Sequence, residues 1–223
     1  MPRPFLDASL RHPIILPDGS THAGTVHLNQ VIDHPNIAIG DFSYYSGFET
    51  PADYAATIAP YLYPGAPEHL TIGKFCQIAH GVRIITSSAN HAMDGVSTYP
   101  FAVFNPELIG GYAASIGNRC DTVIGNDVWL GFESVVMPGV QIGNGAIIAA
   151  RTVVSSDVPD YAVIAGNPGR VLRHRFPADV VKRLLELCWW SWDAERIGRH
   201  VEAITGGDID ALERVALEKK PAI

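Results

Sequence analysis

The side chains best suited to chemistry fall in one short stretch, Asn90-His91-Ala92-Met93-Asp94-Gly95-Val96-Ser97-Thr98-Tyr99-Pro100-Phe101. The imidazole of His91 belongs to the one side-chain type that changes charge near pH 7 unaided, so it can take up or release a proton under physiological conditions. There are nine histidines, and most histidines are packed or surface residues. His91 is set apart because it opens a segment that leaves a rigid repeat. The competing chemistry, a zinc centre, needs three histidines converging on one metal. His80 and His91 are eleven residues apart, off the spacing that would stack them, and no clear third ligand stacks with them. No metal is therefore expected. Cys76, Cys120 and Cys188 are an odd set without a CxxC pair, as in packed, reduced thiols. Five basic residues (Arg151, Arg170, Arg173, Arg175 and Lys182) gather late in a chain of net charge -7, as binding of a polyanion would require.

The element that positions these residues is a six-residue repeat. Ile124, Leu130, Val136, Ile142, Ile148 and Val154 place an aliphatic at every sixth position. The next residue is small at Gly125, Gly131, Gly143, Ala149 and Ser155, with Met137 the exception. Val128, Ser134, Val140, Ala146, Thr152 and Val158, four places on, are all small or β-branched. Six aliphatics in phase arise by chance roughly once in ten thousand, given ordinary composition. Neither a helix period of 3.6 nor a strand period of 2 fits, whereas a hexapeptide period describes a parallel β-helix. Three hexads make a triangular turn, so residues eighteen apart stack, the aliphatics fill the prism, and Ile142 faces inward while Gln141 faces outward. The small residue sits at a corner where a Cβ would crowd the bend or a left-handed backbone.

The phase organises the rest of the chain. Residues 1–36 are Pro-rich and irregular, with a short helix or strand expected near Thr25–Ile32. An isolated hexad begins at Ile39, and a second block runs through Ile72, Ile78 and Ile84. The β-helix domain is expected over 37–165, with excursions at about 46–69 and 87–118. The second excursion is long enough to carry function. Residues 166–223 read as a linker and helical cap: Pro177 opens an amphipathic helix, Trp189-Trp190-Ser191-Trp192 packs it on the prism, Ser191 or Asp193 starts the next helix, and Asp208 opens a last one. Such a tail covers the open end of a solenoid.

Composition excludes several classes. No apolar run approaches a membrane span, and the acidic chain has no basic block, so neither nucleic acid nor membrane is an expected partner. The start, Met-Pro-Arg-Pro-Phe, lacks the pattern of a signal peptide, and a cytoplasmic location is expected.

The ordered motifs resemble the xenobiotic acetyltransferases, hexapeptide-repeat enzymes that include the streptogramin and type-B chloramphenicol acetyltransferases. They are Ile39-Gly40 with Ser43-Tyr44-Tyr45, Thr71 to Cys76, the Asn90-to-Phe101 stretch, Ile124 to Trp129, Met137 to Val140, Gly166-Asn167-Pro168, Arg175-Phe176 and the Trp-rich run. The resemblance covers Ile39 to Arg196. The hexads alone are shared by many acyltransferases, whereas the histidine loop and the Trp-rich tail are specific.

The resemblance implies a left-handed coil with a protruding loop and a C-terminal helical tail. It implies direct acetyl transfer from acetyl-CoA to a hydroxyl of a small acceptor, with His91 as general base and a coil-corner N–H, Gly131 a candidate, holding the oxyanion. It implies a homotrimer with sites between prisms. Positions matching the cofactor wall are Trp129, Gly131, Ala149, Ala150, Asn167 and Pro168, with Arg151, Arg170 and Arg173 for phosphates. Tyr44 and Tyr63 match acceptor-side aromatics, and Tyr99 lies in the loop beside them. Trp129 has a packing alternative, each arginine that of solvated surface charge, and each tyrosine that of core or interface. The acceptor itself stays open between an antibiotic and a native sugar or metabolite. A non-catalytic binding solenoid is the rival class, and it leaves the His91 stretch without a role.

Overall fold

The computed structural model describes residues 5–116 and 120–217. Residues 1–4 of the N-terminal segment, Gly117 and Asn118 at the end of the second expected excursion, and residues 218–223 of the tail lie outside the described residues.

The hexads form a left-handed parallel β-helix with three faces. Face one stacks Tyr44–Ser46, Gln77–Ala79, Trp129–Leu130, Ile147–Ile148 and Ala162–Ala165 in parallel, with antiparallel strands Thr25–His27 and Arg170–His174 at its two ends. Face two stacks Ile37–Ile39, Leu70–Ile72, Thr122–Ile124 and Gln141–Ile142. Face three stacks Arg83–Ile84, Val135–Val136 and Val153–Val154. Ile124 pairs with Ile142, Leu130 with Ile148 and Val136 with Val154, the eighteen-residue stacking that the repeat predicts. All six aliphatics, and the small or β-branched residues four places on, are buried. The N-terminal hexad belongs to the same coil: Ile39 pairs with Ile72 and Tyr45 with Ile78. Tyr45 takes the inward place of an aliphatic, which is why the repeat looks isolated there.

Of the two reasons given for small corner residues, only crowding applies. A Cβ on Gly143 would stand 2.5 Å from the Asp160 nitrogen, and one on Gly131 2.7 Å from the Ile148 oxygen. Neither backbone is left-handed. The left-handed position lies two residues further on, at Phe42 (φ 65°), Phe75 (61°), Asp127 (56°), Glu133 (54°), Arg151 (58°) and Tyr161 (54°), with Gly81, Gly139 and Gly145 in the same register. Each non-glycine residue there costs about 1–2 kcal/mol, a strain held by the hydrogen-bonded rungs on either side.

Each edge is finished differently. Between faces two and one, side chains form a ladder: Asn126 Oδ1 accepts from Lys74 N–H (2.9 Å), Asn144 Oδ1 from Asn126 N–H (2.9 Å), and Asp160 Oδ1 from Asn144 N–H (2.6 Å). Between faces one and three, aromatic rings stack outside the coil: Phe48 lies 4.7 Å from His80 and 6.0 Å from Phe132. From the edge between faces three and two, after Ile84, springs the second excursion.

The segment read as a plain linker after residue 165 carries the strand Arg170–His174, a correction. Its sequence has no hexad phase because it pairs antiparallel to the last rung. Near Thr25–Ile32 the chain forms a strand, Thr25–His27, and a 3-10 turn, Leu28–Gln30. The tail folds into helices Ala178–Leu187, Ala194–Arg199, Val201–Gly206 and Ile209–Ala216. Asp193 and Asp208 cap the second and fourth of these, accepting from Arg196 N–H and Ala211 N–H. Trp189 packs 5.0 Å from Phe75, seating the tail on the edge between faces two and one. Among the described residues no helix is long and apolar enough to cross a membrane.

Candidate active site

His91 is delivered by a one-turn 3-10 helix, Ser87–Ala89, followed by extended Asn90. The ring is exposed, and its Nδ1 lies 2.9 Å from the Thr98 carbonyl oxygen across the base of the loop. A carbonyl oxygen can only accept, so Nδ1 carries the hydrogen and donates it. That contact fixes the tautomer: Nε2 is left with its lone pair and no partner among the described residues. An oriented, solvent-facing Nε2 is what proton abstraction needs.

Beyond His91, Tyr99 packs 4.7 Å from Phe101 and 5.4 Å from Phe104, beside a hollow of about 200 Å³ lined in part by Ala92, Thr98 and Tyr112. The loop is more apolar than a free surface usually is: Met93, Val96, Phe101 and Phe104 are all well over half exposed.

Most of the residues matched to a cofactor wall converge on another edge, that between faces one and three. Gly131 sits against the next rung, where a Cβ on it would stand 2.8 Å from the Ala150 nitrogen. Gly131 N–H, the candidate oxyanion donor, donates to the Ile148 carbonyl (2.8 Å) within the coil. Ala149 N–H is likewise spent on the Ile164 carbonyl (2.9 Å). The Ala150 N–H has no partner among the described residues and belongs to an exposed residue. Arg151 follows it, bonded to Glu133 (2.7 Å) and lying over the Phe132 ring. The exposed turn with Asn167 and Pro168 reaches the same side, because Val153 N–H donates to the Gly166 carbonyl and Gly169 N–H to the Val153 carbonyl. Arg170 leaves that turn directly.

Other matched residues stand apart. Arg173 lies at the far end of its strand, opposite Val163. Trp129 is half exposed on face one, with Gln77 between it and half-buried Tyr44, whose hydroxyl burial pushes up in pKa. Tyr63 is exposed in the first excursion, beyond the helix Tyr54–Ile58. His91 springs from the edge beyond face three, so within one chain a whole face separates its stem from the Gly131–Arg151 edge. His80 lies on the latter edge, with Nδ1 3.3 Å from Phe48 N–H, and does not converge with His91. The Phe48, His80 and Phe132 stack is absent from the sequence reading; its one signal was the shared register of His80 and Phe132, each two places after an inward aliphatic.

Buried Cys76 has its thiol pushed up to about 11 by desolvation, which removes it as a nucleophile at neutral pH.

Residues 121–156 match the family model described as bacterial transferase hexapeptide (six repeats). The chain is 39% identical over 193 residues to a chloramphenicol acetyltransferase of Agrobacterium fabrum, covering 85% of this chain and 91% of that one. It is 39% identical over 189 residues to a virginiamycin A acetyltransferase of Staphylococcus aureus, covering 84% and 85%. It is 45% identical over 140 residues to a probable macrolide acetyltransferase of Lysinibacillus sphaericus, covering 62% and 78%. Alike over 84% or more of its length to the first two of these relatives, the chain belongs to the xenobiotic acetyltransferases, a hexapeptide-repeat family of enzymes.

Proposed function

We propose that the protein is a cytoplasmic, acetyl-CoA-dependent O-acetyltransferase acting on a hydroxyl of a small, antibiotic-like acceptor. The observation that carries this reading is the bond from His91 Nδ1–H to the Thr98 carbonyl, which leaves Nε2 as a base facing solvent. Acetyl-CoA supplies the acetyl group as a thioester. Nε2 of His91 takes the proton of the acceptor hydroxyl as its oxygen bonds to the thioester carbon; the C–S bond then breaks, and the imidazolium gives the proton to the departing thiolate. Ala150 N–H, unspent and exposed, is the donor on the Gly131–Arg151 edge suited to a developing oxyanion. Arg151 and Arg170 provide positive charge beside it for the cofactor phosphates. No protein nucleophile takes part.

The site is shared between copies. His91 and the Gly131–Arg151 edge lie on different prism edges, and a trimer sets the loop of one chain against the edge of the next. The exposed apolar side chains of the loop support this reading, since burying them is favourable at about 25 cal/mol per Å². Light scattering is expected to report three copies of the 24.1 kDa chain. A monomer that turned over at the full rate would end the shared-site reading.

The relatives named above are assigned to three unlike antibiotic classes, so the acceptor has to be measured. The test is acceptor-dependent thiol release from acetyl-CoA in a panel holding chloramphenicol, virginiamycin A, a macrolide and simple sugars. Release with at least one antibiotic is expected; release with sugars alone would replace the antibiotic reading with acetylation of a native sugar.

A further inference from the structure

We infer that Glu68 is a positioning residue that anchors the root of the His91 loop; its link to catalysis rests on the reading of His91 as the base.

The 3-10 turn that launches the loop has N–H groups at its start with no partner inside the turn. Its own N-cap residue, Thr86, makes no capping bond through its side chain. The cap comes from another excursion: Glu68 Oε1 accepts from Ser88 N–H at 2.6 Å, three residues before His91. Glu68 is 1% exposed, and Thr86 and Ser87 are buried with it. Burial opposes ionisation of this carboxyl, but the hydrogen bonding around it, that of Ser88 foremost, outweighs burial and holds the pKa below the ordinary value. A carboxylate sealed in the base of a loop and bonded to its first turn is expensive to keep unless it holds something in place.

The neighbouring residue grips the other end of the same loop. His69 N–H donates to Asp121 Oδ1 (2.7 Å), and the His69 carbonyl accepts from Thr122 N–H (3.0 Å) where the chain re-enters the coil. Glu68 and His69 therefore fasten both roots of the excursion. They are themselves fixed by buried Asn36, whose Nδ2 donates to the Glu68 carbonyl (3.0 Å) and the Ala66 carbonyl (2.6 Å), and whose Oδ1 accepts from Gly65 N–H (3.0 Å). The first excursion acts as a clasp on the second, and Glu68 is the part of it nearest the base.

The test compares Glu68→Ala, Glu68→Gln, His91→Ala and the Glu68→Ala/His91→Ala double variant by steady-state kinetics on the acceptor found above, together with hydrogen exchange on the unaltered protein. Glu68→Ala should lower kcat ten- to a hundredfold with the acetyl-CoA KM within threefold. Glu68→Gln, which keeps an acceptor for Ser88 N–H, should restore kcat to within fivefold of the unaltered enzyme. The double variant should be no slower than His91→Ala. A Glu68→Ala enzyme within twofold of the original, or a double variant in which the two losses multiply, overturns the proposal. Should Glu68→Ala fail to fold, the exchange measurement decides. The Ser88 amide is expected to exchange as slowly as that of Arg83 inside the coil, and exchange at the rate of an exposed loop overturns the anchor. An active His91→Ala enzyme would overturn the assignment of the base alone, because the Ser88 amide reports the anchor without any turnover.

Discussion

His91→Ala is expected to lower kcat by about 10²–10⁴-fold, the usual contribution of a general base, while the KM for acetyl-CoA stays within a few-fold. The asymmetry follows from geometry. In the proposed mechanism the imidazole acts through Nε2 on the acceptor hydroxyl, whereas most of the residues matched to the cofactor lie along the Gly131–Arg151 edge. Loss of the ring removes an interaction made in the proton-transfer step and leaves the cofactor groove as it was. The measurement is initial-rate kinetics at saturating acetyl-CoA, with melting temperature as the control for folding. Turnover within threefold of the unaltered enzyme would remove His91 from the mechanism.

The second large effect concerns stability. Ile142 is 2% exposed, with Ile124 on the rung before it and Val158 on the rung after. Ile142→Asp buries a carboxylate among aliphatics, where no hydrogen-bond partner awaits it, at a cost of several kcal/mol against a total stability of about 5–15 kcal/mol. The outward neighbour supplies the contrast, although not with aspartate. Gln141 is exposed, but its Nε2 donates to the Asp121 carbonyl (2.8 Å) and its N–H to Asp157 Oδ1 (2.8 Å). An aspartate there would face a carboxylate already in place. Gln141→Ala avoids that repulsion and should cost about 1 kcal/mol or less. Urea denaturation of both variants decides the register: equal losses, or a larger one at Gln141, would mean the phase is wrong by one.

The legible part of the molecule was the part governed by repetition. One rule, an aliphatic in and a small residue at the bend, applies from Ile124 to Val158 with Met137 its exception, and every rung repeats the test. Where a rung departs from the rule it becomes hard to see: Tyr45 fills the core as well as an isoleucine but breaks the pattern, and Arg170–His174 pairs antiparallel and obeys no hexad. The left-handed residues were invisible for a different reason. Gly81, Gly139 and Gly145 mark that position on three rungs, but Phe42, Asp127, Glu133 and Arg151 share its backbone conformation and no side-chain property, so on their rungs composition carries no signal. At the site, His91 could be singled out from sequence because its motif is local. The state of a backbone N–H has no signature in sequence: Gly131 donates its hydrogen to the next rung, and Ala150 does not. Glu68 and His69 were missed because their partners, Ser88 and Asp121, are distant in sequence and meet them only in space.

The insertion of the long excursion between two adjacent rungs has an evolutionary consequence. Ile72 pairs directly with Ile124, 52 residues on, just as Ile124 pairs with Ile142, 18 on. The frame therefore registers where the excursion starts and stops, and nothing about its length. Doubling a flexible loop costs only about 0.6 kcal/mol in closure entropy, small beside the stability of the coil. Lineages can lengthen, shorten or rewrite the excursion almost freely while its two roots stay in place, so, on the function proposed above, new drug specificities become accessible without rebuilding the scaffold. Resistance to a new compound would then arise here by insertions and deletions between residues 92 and 116 as readily as by point substitution.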